Sequence, residues 1–475
     1  MIAATASVLM ADIQLPKIFS DKMVLQRGDS VNIWGTADPG EELTVTLGES
    51  SVTTQADDAG NWSIQLVPPP AGGPYELTIA GKDAQVVYND VLVGEVWLCS
   101  GQSNMQWSMN QSLDFESDEE RIKYFSEING SRLRLFTVPA NAIEEPASDL
   151  AGAAVWEECT PATVAEFSAV AYFFAKALQE HESLNDVPIG LIDSSWGGTP
   201  AEAWTSREAL EAHANLAPLL EHWDANEDKR NPRRPAALYN GMIEPLIPLT
   251  IRGVVWYQGE SNVGRANQYK TLFPSLIEDW RARFGQGNFP FYFVQLAPHR
   301  YGDLDPRALA ELWDAQDDVL QLPNTGMAVS VDIGNSTDIH PKNKQIVGQR
   351  LACIALAETY GQVGLECRGP VYRSIEKIED GSKLLIHLDF AEGLHHHGDS
   401  LNGISICGDD GEFVTAHAEI RDGKLVAWSD DIEKPAHVRY LWDDTAQGNL
   451  FNAAGLPASP FRTDDFEMLS VHENF

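Results

Sequence analysis

Val91-Leu92-Val93-Gly94-Glu95-Val96-Trp97-Leu98-Cys99-Ser100-Gly101-Gln102-Ser103-Asn104 is the stretch that decides the fold. From Val91 to Cys99 it is nearly all apolar and rich in β-branched residues, as in a strand buried on both faces. A strand that ends in Ser-Gly-Gln-Ser-Asn has to turn sharply, and the turn points a hydroxyl out of the sheet edge. Further apolar runs at 132–137, 188–193, 251–257, 290–296 and 326–332 alternate with helical patterns at 168–182, 205–213, 267–284, 306–321 and 342–359. This alternation predicts an α/β domain over residues 91–360, a parallel sheet covered by helices on both faces. Its ligand crevice is expected beyond the carboxyl ends of the strands.

On either side the pattern is all-β. Residues 12–90 carry short alternating runs (31–34, 43–47, 62–66, 75–79) separated by Asp38-Pro39-Gly40, Asp58-Ala59-Gly60-Asn61 and Pro68-Pro69-Pro70. Such spacing predicts a β-sandwich region. Residues 368–475 return to β character, either as a separate module or packed with the N-terminal one. A length of 475 residues leaves room for two to four domains at about 150 residues each.

Composition excludes several partners. With 33 basic and 70 acidic residues the formal net charge is −37. A field of that sign repels nucleic acid and anionic lipid, so neither is an expected partner. Sequence leaves the oligomeric state open. The five cysteines (99, 159, 353, 367 and 407) leave at least one without a partner in the chain, and none has zinc-binding spacing. Cys353 and Cys367 are a candidate bridge, with buried free thiols as the default reading. No apolar run approaches the ~18 residues of a membrane-spanning helix. The mildly apolar start, Met1 to Met10, lacks the basic segment of a signal peptide and fits the remnant of a trimmed one. Export to the periplasm or exterior is the expectation, with a cytoplasmic place left open.

Four segments carry chemistry, each just after a strand. Gly101-Gln102-Ser103-Asn104 offers a serine hydroxyl, although Ser and Asn also cap ordinary strand-to-helix turns. A free hydroxyl is a weak nucleophile and needs a base, which in turn needs an orienting partner. Asp338-Ile339-His340-Pro341 could supply both, with Pro341 suited to the first turn of the helix at 342–359. The segment Trp196-Gly197-Gly198-Thr199-Pro200 offers backbone N–H groups unobstructed by side chains, or is a plain glycine turn. Trp196 and Trp204 could wall a sugar site. Trp256-Tyr257-Gln258-Gly259-Glu260-Ser261-Asn262 is unusually polar for a mere connection and could add a side-chain donor to an oxyanion hole. His395-His396-His397 reads as a surface loop, since three consecutive residues of an extended chain cannot all face one ion.

Taken together, these four segments resemble the SGNH hydrolases, and among them the sialate O-acetylesterase-like carbohydrate esterases. The likeness runs from about Leu15 to the Pro460-Phe461-Arg462-Thr463 region. It implies a flavodoxin-like esterase domain with β modules at its side, and removal of acetyl groups from sugars without metal or cofactor. Carried over, Ser103 is the nucleophile and His340 the base. Ser103 N–H, Gly197 or Gly198 N–H, and a side chain from the third segment form the oxyanion hole. The superfamily spaces its acid three residues before the histidine, whereas Asp338 lies two before, so Asp332 is a rival, and a backbone carbonyl holding His340 is a further alternative. Its third block reads Gly-x-Asn-Asp, and here Gly259-Glu260-Ser261-Asn262 leaves Gln258 as first choice of donor and Asn262 as second. Gln102 and Glu260 join Trp196 and Trp204 as substrate-binding candidates. Acetylated xylan or mannan fragments are slightly preferred over O-acetyl sialic acid because of the negative field. A carbohydrate-binding protein on an inactive esterase scaffold is the alternative.

Overall fold

The computed structural model describes residues 13–28 and 30–472; the Met1 to Met10 segment lies outside the described residues. Short strands β1 (Val24–Gln26), β2 (Val31–Thr36), β3 (Glu42–Leu47), β4 (Ser50–Gln55), β5 (Asn61–Leu66) and β6 (Gly72–Ala80) build the N-terminal region. β2 pairs with β5, and β3 pairs with both β4 and β6. Sequence patterning misses β4 because none of its residues is buried, so it lacks an alternating apolar face. β7 (Gln85–Gly101) pairs antiparallel with β6, and from Glu95 onward it joins a parallel sheet. The boundary expected at 90/91 therefore falls inside one continuous strand that both regions share.

The central sheet adds β8 (Gly130–Thr137), β9 (Glu157–Cys159), β10 (Ile189–Ser195), β11 (Gly253–Tyr257), β12 (Phe291–Val294) and β13 (Thr325–Ala328). Their spatial order is β13-β12-β11-β7-β10-β8-β9, parallel except for β9 at the edge. After β7 the chain moves to one side of it, through β8 and β10. After β11 it moves to the other. The winding reverses there, so the carboxyl ends of β7 and β11 are where such a sheet is expected to hold its ligand. Both of those strands lead directly into candidate site segments.

Helices α1 (Ser103–Gln106), α2 (Ala169–Gln179), α3 (Ala266–Phe284), α4 (Ala308–Asp318) and α5 (Lys344–Ile354) complete the esterase layer. Side chains alternate across a strand, so Trp97 on β7 and Trp256 on β11 cover opposite faces of the sheet. Trp97 meets Phe174 of α2 edge-on at 5.0 Å; Trp256 meets Trp280 of α3 at 5.7 Å. α5 packs closely on α2, where a Cβ at Gly348 would lie 2.7 Å from that of Phe173. The strand expected to end at Asp332 stops at Ala328, and α5 starts two residues later than expected. Asn343 is its N-cap, accepting from Ile346 N–H at 3.2 Å, so Pro341 sits in the preceding loop rather than the first turn.

The C-terminal region holds two four-stranded sheets. Within one of them, a buried Arg439–Asp464 pair, with two bonds of 2.8 Å, holds the strand His437–Tyr440 to the segment that follows the last strand, Phe461–Arg462. The region docks on the esterase layer through Ser470 Oγ to Glu311 (2.8 Å) and Gly448 N–H to the Val331 carbonyl (3.1 Å). Cys353 and Cys367 form a disulfide, contrary to the default reading, while Cys99, Cys159 and Cys407 are free and buried. The two are 14 residues apart, joining the end of the esterase domain to the segment that leaves it. His395–His396 is a two-residue strand paired with Leu450–Phe451, and His397 stacks on Phe451 at 4.6 Å. Among the described residues, no helix is long and apolar enough to cross a membrane.

Glu95 fastens the N-terminal region to the sheet. Its fully buried carboxylate takes Arg27 from one side, Arg252 Nε (2.6 Å) from the other, and Gln26 Nε2 (3.0 Å). Arg27 and Arg252 keep about a third of their side chains in water, so removing the carboxylate costs about 1.5–3 kcal/mol, as for a hydrogen bond to a charged group. Glu95→Leu is expected to lower the denaturant midpoint accordingly while ester hydrolysis per folded molecule stays unchanged.

Candidate active site

Three strands end level with one another. Ser195 of β10 and Tyr257 of β11 both stand opposite Gly101 of β7 in the parallel register. The three loops that follow therefore leave the sheet at one rim. Backbone bonds cross between them: Gln102 N–H to the Tyr257 carbonyl (3.0 Å) and Trp196 N–H to the Gly101 carbonyl (3.1 Å). Gly101 has φ +137°, and a Cβ there would fall 2.1 Å from the Tyr257 carbonyl oxygen. Only glycine allows the turn that lifts Ser103 onto the first position of α1.

The turn meets the fourth segment at Ser103. His340 Nε2 lies 2.9 Å from Ser103 Oγ across 237 positions of sequence. The imidazole stacks on Trp107, with ring centroids 4.4 Å apart and planes 18° from parallel. Burial, reinforced by the nearby Lys344 ammonium, holds its pKa below the ordinary 6.5 against the opposing pull of Asp338. A neutral imidazole at this distance can accept the serine proton.

Asp338 and Asp332 behave differently. Asp338 Oδ1 accepts the His340 backbone N–H at 2.9 Å and lies 3.6 Å from its Nδ1, beyond hydrogen-bond range. Asp338 thus folds the loop and offers charge nearby. Asp332 is committed to Arg350 through two bonds of 2.7 Å, a buried pair under α5. That pairing removes it as the rival partner of His340.

Of the oxyanion candidates, Ser103 N–H heads a helix, where amides have no intrahelical acceptor. Gly197 adjoins the serine, a Cβ placed on it lying 3.2 Å from that of Ser103. Its N–H donates to Gln106 Oε1 at 2.9 Å, an exposed side chain that can swing away. Gly198 is exposed one residue further on. Gln258 and Asn262, the expected side-chain donors, are buried instead. Gln258 Nε2 donates to Asn262 Oδ1 at 2.7 Å, and Asn262 Nδ2 to Glu202 at 2.9 Å. These amides are engaged with one another and with neighbouring loops.

Three of the four expected substrate contacts are also buried. Trp204 is fully enclosed, its Nε1–H on Thr199, and cannot wall a sugar site. Gln102 accepts the Ser261 N–H at 3.2 Å, and Glu260 accepts from Asn104. Only Trp196 remains half exposed. The sequence reading overlooked a cleft of about 360 Å³ that opens between Pro200 and Ser261, lined by His222, Trp223 and Arg233. Arg233 donates to the Gly198 carbonyl at 3.2 Å and is otherwise exposed. His222, Trp223 and Arg233 lie outside the four motif segments, so no local signal pointed to them.

Comparison with known proteins agrees with this geometry. Residues 93–357 match the family described as carbohydrate esterase, sialic acid-specific acetylesterase. Sialate O-acetylesterase of Mus musculus is 32% identical over 445 residues, covering 82% of this chain and 81% of that protein. The Homo sapiens sialate O-acetylesterase is 33% identical over 427 residues, with 82% and 79% covered. The crystal structure of a carbohydrate acetylesterase from Xanthomonas citri superposes with a TM-score of 0.85 at 37% identity, covering 96% of this chain and all of that one. With its esterase layer matched and its relatives aligned across the flanking β regions as well, this chain belongs to the sialic acid-specific acetylesterase family of carbohydrate esterases.

Proposed function

We propose that the chain removes acetyl groups from O-acetylated carbohydrate by a serine mechanism. The observation that carries this reading is the 2.9 Å approach of Ser103 Oγ to His340 Nε2 at the switch point of the sheet. His340 takes the serine proton as Oγ attacks the acetyl carbonyl, and returns it to the departing sugar oxygen. Water then hydrolyses the acetyl-enzyme with His340 again as base. The Ser103 and Gly197 amides receive the oxyanion, Gln106 giving up its bond to Gly197 as the carbonyl oxygen arrives. Asp338 favours the imidazolium through space and shapes the loop.

A sialic acid is the favoured sugar. Its carboxylate needs a cation, and Arg233 stands exposed beside the Gly197–Gly198 turn, whereas the Arg265 guanidinium is already paired with Glu202 at 2.9 Å. Two relatives described above carry sialate in their names. Export fits the Cys353–Cys367 bridge, since disulfides persist in oxidising compartments.

Ser103→Ala should lower turnover of p-nitrophenyl acetate by at least about 10³-fold in a folded protein; retention of near wild-type turnover would overturn the serine mechanism. The acid limb of the wild-type profile should fall below pH 6.5, because only neutral His340 accepts the proton and its pKa is depressed. Asp338→Asn preserves the loop acceptor and should cost about ten-fold in kcat, well short of the ~10⁴ expected where the acid bonds the imidazole directly. Arg233→Ala should raise KM for O-acetyl sialic acid about ten-fold or more and leave p-nitrophenyl acetate unaffected. Faster acetate release from acetylated xylan than from O-acetyl sialic acid would favour a neutral glycan instead.

A further inference from the structure

Directly beneath the Ser103–His340 pair lie two buried ionisable groups that the mechanism does not use. Lys344 is fully buried and Glu260 nearly so, on different segments. Asn104 stands between them: its Oδ1 accepts from Lys344 Nζ, and its Nδ2 donates to Glu260 Oε1. The same Nδ2 donates to the Ile339 carbonyl at 3.0 Å. Asn104 follows Ser103 and Ile339 precedes His340, so one side-chain amide holds the residue after the serine to the residue before the histidine. Lys344 Nζ also lies over the rings of Trp107 (5.6 Å) and Tyr257 (5.3 Å), and Trp107 is the ring stacked on His340.

Helix stability does not account for this lysine. It occupies the first residue of α5, where the helix dipole disfavours a cation, and it is out of water, which disfavours one further. Glu260 carries a second carboxylate oxygen with no hydrogen-bond partner among the described residues. Two ionisable groups, each costly to charge where it lies, are thus set on either side of one amide that contacts both halves of the site.

We propose that the Lys344–Asn104–Glu260 bridge is a positioning device that seats the His340 loop on the Ser103 turn and presents Lys344 as a fixed cation behind the imidazole. This inference rests on the serine mechanism proposed above. The groups facing the imidazole are Lys344, Asp338 and His299; those facing Lys344 are Glu260, Asp338, His340 and Tyr257. Burial pushes the Lys344 ammonium down to about 7, so it stays charged through the acid range in which His340 titrates. Its charge opposes protonation of His340 and keeps the base available at lower pH.

The test compares pH profiles of kcat and kcat/KM for p-nitrophenyl acetate in wild type, Lys344→Gln, Lys344→Met and Asn104→Ala. Lys344→Gln keeps a donor for Asn104 and loses the charge. It should retain plateau kcat within a few-fold while its acid limb moves to higher pH. Lys344→Met loses both and should show the same displacement with a lower plateau. Asn104→Ala releases the loop and should lower kcat about 100-fold with KM little changed. A folded Lys344→Gln enzyme whose acid limb coincides with that of wild type overturns the role of the charge, whether or not Lys344→Met folds. Wild-type kcat in folded Asn104→Ala overturns the positioning role. An active Ser103→Ala enzyme would instead remove the serine mechanism, so the two failures are separable.

Discussion

The register that sets Ser195, Gly101 and Tyr257 side by side is the constraint on which the rest of this molecule depends. Parallel strands cannot return by tight hairpins, so the three loops after these strands must leave from the same rim. A one-residue slip in β7 would carry every side chain to the opposite face, exchanging Trp97 with Leu98 and burying the turn. Large aromatic residues make that slip costly: Trp97, Trp256 and Trp280 are each fully buried, where truncation typically costs about 3–5 kcal/mol.

Above the register lies a second layer of polar braces. Gln102, Gln258 and Asn262 bond one another and the loop backbones, and Glu202 closes the group against Arg265 and Asn262. A buried amide or carboxylate is tolerated only when its partners are in place, so each loop holds its shape because the others hold theirs. This explains why most of a third segment rich in polar residues is buried. Its side chains support the rim on which the Gly197 backbone and the Ser103 hydroxyl stand.

The fourth segment carries the candidate base on a long loop. β13 ends at Ala328, so eleven residues separate the strand from His340. Two local devices give that excursion its form: Asp338 caps the His340 amide, and Asn104 takes the Ile339 carbonyl. Arg350, deeper in α5, anchors the beginning of the loop by pairing with Asp332. The candidate base therefore owes its place to contacts from α1 and α5 as much as to its own segment.

Hydrophobic period and strand-end motifs determined the α/β layer, the flanking β regions and the two residues, Ser103 and His340, on which the proposed chemistry turns. Those signals are local, since a buried strand and a glycine turn announce themselves within ten residues. Tertiary structure alone decided which polar side chains face outward. Gln258, Asn262, Glu260 and Trp204 have the composition of site residues, yet each is buried by neighbours that come from distant positions. Only folding could likewise separate Asp338 from Asp332, or turn Arg233 into a cleft residue, because burial and pairing depend on contacts between segments that sequence order does not record.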